Sequence, residues 1–322
     1  MKEKLSPLAR AIGLKQLRAL RALVEAGTIS AAAQQLNVTA PAVGLHLRQL
    51  ETLVGMPLTE RHAHGLTVTA AGRELLSAQA RIDTALAECA DALEALGSVE
   101  RGRIAVGVVS TAKYFAPFAL AAFRRERPLI ELGLSVGNRA ATIEALSDFA
   151  LDFAVMGRPP EDLAVEAEII GDHPHVIIAP PDHPLTGNRL RLAGLGGEVF
   201  LMREAGSGTR ALAEKLFAEA GIEPEIGMEI DSNETIKQAV MAGLGIAFLS
   251  AHTAAAELAD RRVVTLDCEG LPAMRQWHVV KHADKRLLPA GRALWRFLVD
   301  RGADYLPALP DGMAATPSPP RR

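Results

Sequence analysis

Four short stretches of this chain combine small hydroxyl groups, amides and cations in places where an anion could be held. They are Ser110-Thr111-Ala112-Lys113, Asn138-Arg139, Gly206-Ser207-Gly208-Thr209-Arg210 and Asp231-Ser232-Asn233-Glu234. Each stands where a strand pattern meets a helix pattern. Free amides at helix starts bind anions, and Lys113, Arg139 and Arg210 add charge suited to phosphate or carboxylate. The candidate ligand-binding residues are therefore Ser110, Thr111, Lys113, Asn138, Arg139, Gly206, Ser207, Thr209, Arg210, Ser232 and Asn233. A loop with an N-cap also explains the Gly-Ser-Gly-Thr run, and surface ion pairing also explains Lys113 and Arg139. The chemistry on offer is binding, not turnover. The chain has no Walker phosphate motif, no Gly-x-Ser-x-Gly elbow, no HExxH and no triad spacing. Cys89 and Cys268 give neither a disulfide framework nor a zinc spacing.

A second group of residues lies near the N-terminus. Up to Leu75 there are nine Lys and Arg against five Glu, a balance of +4; the remainder carries 26 against 33, or −7. A basic head on an acidic body suits a polyanion as partner of the head alone. The spacing predicts a helix over Leu14–Ala26 that stops at Gly27, and a short helix Ala31–Leu36 capped by Ser30. A turn at Asn37-Val38 leads to a third helix that starts at Thr39 with Pro41 in its first turn. Val43, Leu47, Leu50 and Val54 form the packing stripe of that third helix. Its opposite face offers Ala42, Leu45, His46, Arg48 and Gln49 to solvent. Two short helices, a tight turn and a free third helix make a helix-turn-helix whose third helix can enter a major groove. Pro57–Ala71 follows as a hairpin, or wing, with the tip Arg61-His62-Ala63-His64-Gly65. The candidate DNA contacts are Thr28, Ser30, Thr39, Pro41, Ala42, Leu45, His46, Arg48 and Arg61. The three hydroxyls are open to a second reading as caps, and Arg48 to pairing with Glu51 or Glu60.

The rest of the chain must position these groups. Leu75, Gln79, Ile82, Leu86, Cys89, Leu93 and Leu96 hold a heptad seam, the pattern of a helix that pairs with a second helix. Beyond Arg101, apolar runs at Ile104–Val109, Leu132–Val136, Phe153–Met156, Val176–Ala179, Val199–Met202, Ile246–Leu249 and His278–Val280 read as buried strands. Helical stretches at Pro117–Arg125, Thr142–Ala150, Thr209–Ala220 and Glu234–Ala242 lie between them, which predicts an α/β body with mainly parallel sheets. The expectation is α+β overall. A winged helix-turn-helix spans 12–70 and a linker helix 71–98. A two-lobed α/β body spans 101–302, with lobe I about 101–180 plus 280–302 and lobe II about 181–279. A disordered Pro-rich tail spans 307–322. No signal peptide and no apolar stretch of spanning length are present, so a soluble protein of a reducing cytoplasm, without a membrane partner, is expected.

The head strings Leu14-Lys15-Gln16-Leu17-Arg18, Leu36-Asn37-Val38-Thr39-Ala40-Pro41-Ala42-Val43, Leu47-Arg48-Gln49-Leu50-Glu51 and Val54-Gly55-Met56-Pro57-Leu58 resemble the LysR-type transcriptional regulators. Thr67-Val68-Thr69-Ala70-Ala71-Gly72 is similar to that family's junction of wing and linker. In the body, Val109-Ser110-Thr111-Ala112-Lys113-Tyr114-Phe115, Met156-Gly157-Arg158-Pro159-Pro160 and Arg203-Glu204-Ala205-Gly206-Ser207-Gly208-Thr209-Arg210 resemble the Calvin-cycle branch, the CbbR regulators. The resemblance implies a body of the periplasmic-binding-protein type and promoter DNA as partner. It also implies RNA polymerase as a second partner, and a homo-oligomer, a dimer through the linker helix assembled further to a tetramer. No bound cofactor follows from it; the implied effector is a phosphorylated metabolite or NADPH. A LysR regulator of another operon is the alternative, ahead of an enzyme or a solute-binding protein that shares the body. Three positions depart from the family: Ala40 stands where glutamine is usual, and Gly44 and Leu45 replace polar residues. Leu45 can touch a thymine methyl but cannot read a guanine edge.

Overall fold

The computed structural model describes residues 7–62, 65–95 and 101–310. The chain divides into two units, 1–90 and 91–322. The first begins with α1 (Pro7–Ala11), α2 (Leu14–Ala26), α3 (Ile29–Gln35) and α4 (Ala40–Val54). Gly27 and Gly55 close α2 and α4 in the left-handed conformation, where glycine pays no Cβ penalty. Asn37 makes the turn between α3 and α4 at φ 52°. Leu17, Leu20, Leu23, Val43, Leu47, Leu50 and Leu58 bury together as the head core. The hairpin β1 (Thr59–His62) and β2 (Gly65–Val68) follows, with Glu60 opposite Thr67. Gly72 is where the hairpin packs on the next helix: a Cβ there would stand 2.3 Å from the Leu58 carbonyl oxygen.

One N-terminal detail differs from the expectation. Thr28, not Ser30, caps α3; its hydroxyl accepts from the Ala31 N–H at 3.2 Å. The helix starts two residues early because the threonine reaches the free amides first. Ser30 is an exposed residue of the first turn.

Helix α5 (Ala70–Ala95) leaves the hairpin. Its first turns belong to the head core through Leu75 and Leu76. Gln79 is 1% exposed and donates to Asp83, which pairs with Arg18 and Arg21 of α2. Gln79 is thus covered within a single chain and is not a free seam position. Ile82, Leu86 and Cys89 are exposed. The side chain of Leu93, and Leu96 as a whole, lie outside the described residues.

The second unit runs β3 (Gly102–Val109), a 3-10 turn (Ala112–Tyr114), α6 (Ala116–Glu126), β4 (Ile130–Gly137), α7 (Arg139–Ser147), β5 (Phe153–Met156) and β6 (Val165–Ala179). It continues with β7 (Arg189–Leu190), β8 (Val199–Arg203), α8 (Gly208–Ala220), β9 (Glu225–Ile230), α9 (Asn233–Met241) and β10 (Ala247–Ser250). It ends with α10 (Ala255–Ala259), β11 (Val264–Thr265), β12 (Asp267–Cys268), β13 (Ala273–His282) and α11 (Pro289–Arg301). Helix α7 begins earlier than its apolar pattern because Asn138 caps it, accepting from the Ala141 N–H at 3.0 Å.

Strands β3, β4 and β5 are mutually parallel where they pair, as are β8 and β9. The expectation of mainly parallel sheets fails at the centre: β6 pairs antiparallel with β13 and β10. The reason is topological. The chain leaves one lobe along β6 and returns along β13, so the two crossings run in opposite senses. One hydrophobic core gathers Phe115, Phe123, Phe153, Trp277, Leu294 and Trp295; two more, on either side of β6 and β10, gather Ile236, Val240 and Leu249, and Phe200, Phe217 and Phe248. Residues 307–310 of the expected tail are described, and 311–322 lie outside the described residues.

The crossing strands bury three histidines. His173 stacks on Trp277 with ring centroids 3.6 Å apart, His175 lies 4.2 Å from His173, and His252 accepts from the Trp277 indole N–H at 3.1 Å. Burial pushes His175 down to about 3 and His252 to about 4, and pushes His173 well below the usual histidine range.

Two outcomes follow from these cores. Leu50→Ala, at a fully buried position, lowers head stability by about 2–5 kcal/mol, read from urea unfolding of the head. The histidines give an acid-side effect. At a pH above about 6.5 both folded and unfolded histidines are neutral. Below it the unfolded chain takes up protons that the folded body cannot. Stability therefore falls toward about pH 4, by about 1.4 kcal/mol per pH unit for each histidine. Urea midpoints between pH 7.5 and 5 measure this; in His175→Gln the slope drops by about one proton.

Candidate functional site

Helix α4 presents Leu45, Arg48 and Gln49 as exposed residues, with Ala42 and His46 half-buried beside them. Pro41 and Thr39 are exposed at its start, and the Thr39 side chain makes no capping bond. Arg48 forms no ion pair among the described residues, while Glu51 accepts from the Leu58 N–H at 3.1 Å. Gly44 is buried, so it does not belong to the exposed face. The Arg48 guanidinium lies over it, with Nη1 3.4 Å from the place a Cβ would take. Thr28 is exposed at the start of α3. For Arg61 and His62 only the backbone, in β1, is described; Ala63 and His64 lie outside the described residues.

In the body, the ends of β3, β4 and β8 meet the starts of α7 and α8 around a cleft of about 810 Å³, its open mouth included. Ser110, Thr111, Asn138, Arg139, Ser207, Gly208 and Thr209 line it. These are the first three of the four stretches singled out in the sequence. Ser207 caps α8, its hydroxyl accepting from the Arg210 N–H. The two helix starts touch: the Ala140 N–H donates to the Gly206 carbonyl at 3.2 Å. Gly206, at φ +84°, permits this approach, since a Cβ would stand 3.1 Å from that of Ala140. A bound anion would thus meet the amides of two helices.

The other sequence candidates sit off the lining. Arg210 donates to Glu214 at 2.7 Å, to Glu229, and to the Arg203 carbonyl at 3.0 Å. Lys113 stands over the Tyr114 ring at 5.3 Å. Ser232 caps α9. Asn233 is buried and accepts from Arg203. Arg139 lines the cleft, but its guanidinium is turned to the Arg158 and Pro159 carbonyls. Burial, with Arg158 beside it, lowers its pKa.

Arg203, Arg275, His173, His175, Arg158 and Lys215 also line the cleft and were not among the candidates. Arg203 is 2% exposed and holds both lobes: it donates to Ser110 at 3.1 Å, to both Glu204 oxygens at 2.7 and 3.0 Å, and to Asn233. His173 and Arg275 are register partners across β6 and β13 and form the floor. Arg275 is half-buried, with no ion pair or hydrogen-bond partner among the described residues. Only alternation in two distant strands, His173-x-His175 and Arg275-x-Trp277, hints at this floor in the sequence. Five cations line the cleft and no carboxylate does, among the described residues.

Comparison with known proteins matches two parts of the chain separately. Residues 14–73 match the family described as bacterial regulatory helix-turn-helix protein, lysR family, and residues 97–303 match the LysR substrate binding domain. The HTH-type transcriptional regulator CbbR of Xanthobacter flavus is 55% identical over 93% of this chain and 91% of its own. The RuBisCO operon transcriptional regulator of Allochromatium vinosum is 43% identical over 91% of this chain and 97% of its own. Among solved structures, the CcmR regulatory domain of Synechocystis PCC6803, in complex with 2-PG, is 34% identical. It covers 67% of this chain and all of its own, at a TM-score of 0.61. With its helix-turn-helix and its substrate-binding body both matched, the chain belongs to the LysR family: it is a transcriptional regulator, binding promoter DNA and a small-molecule effector.

Proposed function

We propose that this regulator controls a carbon-fixation operon in response to a small phosphorylated acid held in the cleft of its body. The observation that carries the reading is the lining: Arg275 stands in the cleft with no ion pair or hydrogen-bond partner among the described residues, while Arg139, Arg158, Arg203 and Lys215 line it with partners of their own and no described carboxylate lines it. Such a site favours an anion over any neutral ligand of the same size, and its volume suits a small molecule. The relatives named for CbbR and for the RuBisCO operon, and the neighbour bound to 2-PG, support the choice of operon and ligand class. NADPH shares the phosphate chemistry and is the competing outcome.

The head, residues 12–70, takes promoter DNA. Arg48 and Leu45 face base edges; Thr28, Ser30, Thr39 and Arg61 face phosphates, with Pro41, Ala42 and His46 alongside. Two chains pair through α5, where Ile82 and Leu86 stand exposed, and dimers join to tetramers. Binding of the anion changes the relative stability of two arrangements of this oligomer, and so changes contact with RNA polymerase. The described residues include no helix long and apolar enough to cross a membrane, and the protein works in the cytoplasm.

The direct test is titration of full-length protein with 2-phosphoglycolate and with NADPH by calorimetry, followed by footprinting on the promoter of the carbon-fixation genes. Binding of 2-phosphoglycolate with an altered footprint is the expected result; binding of neither compound overturns the reading. Arg275→Ala removes a charged hydrogen bond and weakens the acid about 10- to 100-fold. For the head, Arg48→Ala lowers operator affinity by about 1–3 kcal/mol and affects unrelated DNA less. Equal weakening on both DNAs, seen by gel shift, places Arg48 on phosphate instead.

A further inference from the structure

We propose that His173 selects the effector by hydrogen-bonding one oxygen of a phosphorylated carboxylic acid whose two anionic ends span the cleft. The proposal rests on the reading of the cleft as an anion site. His173 lines that cleft and is 3% exposed, and neither ring nitrogen has a hydrogen-bond partner among the described residues. Buried polar groups are almost always satisfied. An imidazole with two unmade bonds at the floor of a ligand cleft is therefore waiting for a ligand.

The ring is also held in place. It stacks on Trp277 at 3.6 Å with 15° between the planes, and His175 closes its other flank at 4.2 Å. Gly157 gives it room: a Cβ there would stand 2.7 Å from Nδ1. Both nitrogens are buried, and a ring so confined holds them in place without loss of rotamer freedom, which is how specific sites are built.

Its surroundings say what it can bind. The titratable and charged groups facing it are His175 on β6, His252 after β10, and His278 and Arg275 on β13. All are cationic when protonated, and with burial they hold the ring neutral. One nitrogen then donates, and Arg275 beside it supplies charge to the same anionic group. The α7 and α8 starts at the mouth, with Ser207 and Thr209, take a second anionic group. Two anion subsites in one cleft fit an acid with a phosphate at one end and a carboxylate at the other. His173 and Arg275 are both floor groups without a partner among the described residues; Arg275 supplies charge, and His173 discriminates because its neutral ring offers one directed N–H from a fixed position.

The test uses full-length protein and 2-phosphoglycolate in isothermal titration calorimetry, with His173→Asn and His173→Phe beside wild type. Phenylalanine keeps the stack on Trp277 and removes both nitrogens; asparagine keeps a donor and an acceptor but loses the ring. The expected order is wild type, then His173→Asn, then His173→Phe, the last about 10- to 100-fold weaker than wild type. A merely structural role reverses the two variants, and that order overturns the proposal. Equal affinity in all three overturns it while leaving the cleft reading intact, whereas no binding by wild type overturns both. Should either variant fail to fold, the ring nitrogens of wild-type His173 are followed by ¹⁵N NMR. A shift on adding 2-phosphoglycolate is expected, and no shift overturns the proposal.

Discussion

The pairing of β6 with β13 is the constraint on which the body depends. These two strands carry the chain out of one lobe and back, and their antiparallel register sets what stands opposite what. It places Arg275 beside His173 and Ala273 beside His175. Side chains alternate between faces along a strand, so a slip of one residue would turn this set away from the cleft. The floor of the site is thus a product of strand register. Trp277, on β13 two residues beyond Arg275, fills the space behind His173 and joins Phe115 at 5.0 Å in the neighbouring core. The same register that aims the polar floor at the cleft anchors it in the core beneath.

Closure of the cleft adds a second constraint, this one electrostatic. A guanidinium cannot leave water without partners. Arg203, nearly fully buried, finds them in both lobes: Ser110 on one side, Glu204 and Asn233 on the other. Tyr114 and Glu234 make a similar bridge, the phenol donating to the carboxylate at 3.4 Å. The approach of Gly206 to Ala140 adds a backbone bond across the mouth. These bonds tie the two lobes together across the cleft. A ligand that contacts the closed form more fully than an open one shifts the balance by that difference and no more. The unmade bonds of His173 and the unpaired charge of Arg275 are where such a difference can arise.

Much of the fold was legible along the chain, and the reason is local. Helices α2, α4 and α8 carry their stripes and stops within a dozen residues, and β3, β5 and β8 are apolar runs that need no partner to be recognised. The cleft's rim was legible for the same reason: Asn138, Ser207 and Thr209 sit at helix starts, which have a sequence signature. What escaped depended on distance. The long strand β6 is exposed over most of its first part, so its pattern shows only from His173 onward. Arg203 resembles any surface arginine until Ser110 and Asn233 are brought to it. Lys113 and Arg210 mislead in the opposite way: the sequence shows their charge but not the Tyr114 ring, Glu214 and Glu229 that engage them. Charge is a property of a residue, whereas availability is a property of its neighbours.

The same distinction applies to α5 and α4 in the head. A heptad seam on α5 is continuous in sequence, yet its residues do two jobs. Leu75 and Leu76 complete the head's own core, and Asp83, bonded to Arg18, Arg21 and Gln79, ties the helix to α2. On the same helix, Ile82, Leu86 and Cys89 stand exposed among the described residues. The first part of the helix is therefore tied to its head. A pairing through Ile82 and Leu86 would pass any rotation to the head through a helix already fixed to α2, with no hinge at Gln79. On α4, the apolar character inferred from Gly44 and Leu45 is narrower than the sequence suggests, because Gly44 lies under Arg48. Arg48, which forms no ion pair among the described residues, lies against this small residue, which carries an intrinsic helix cost of roughly 1 kcal/mol against alanine.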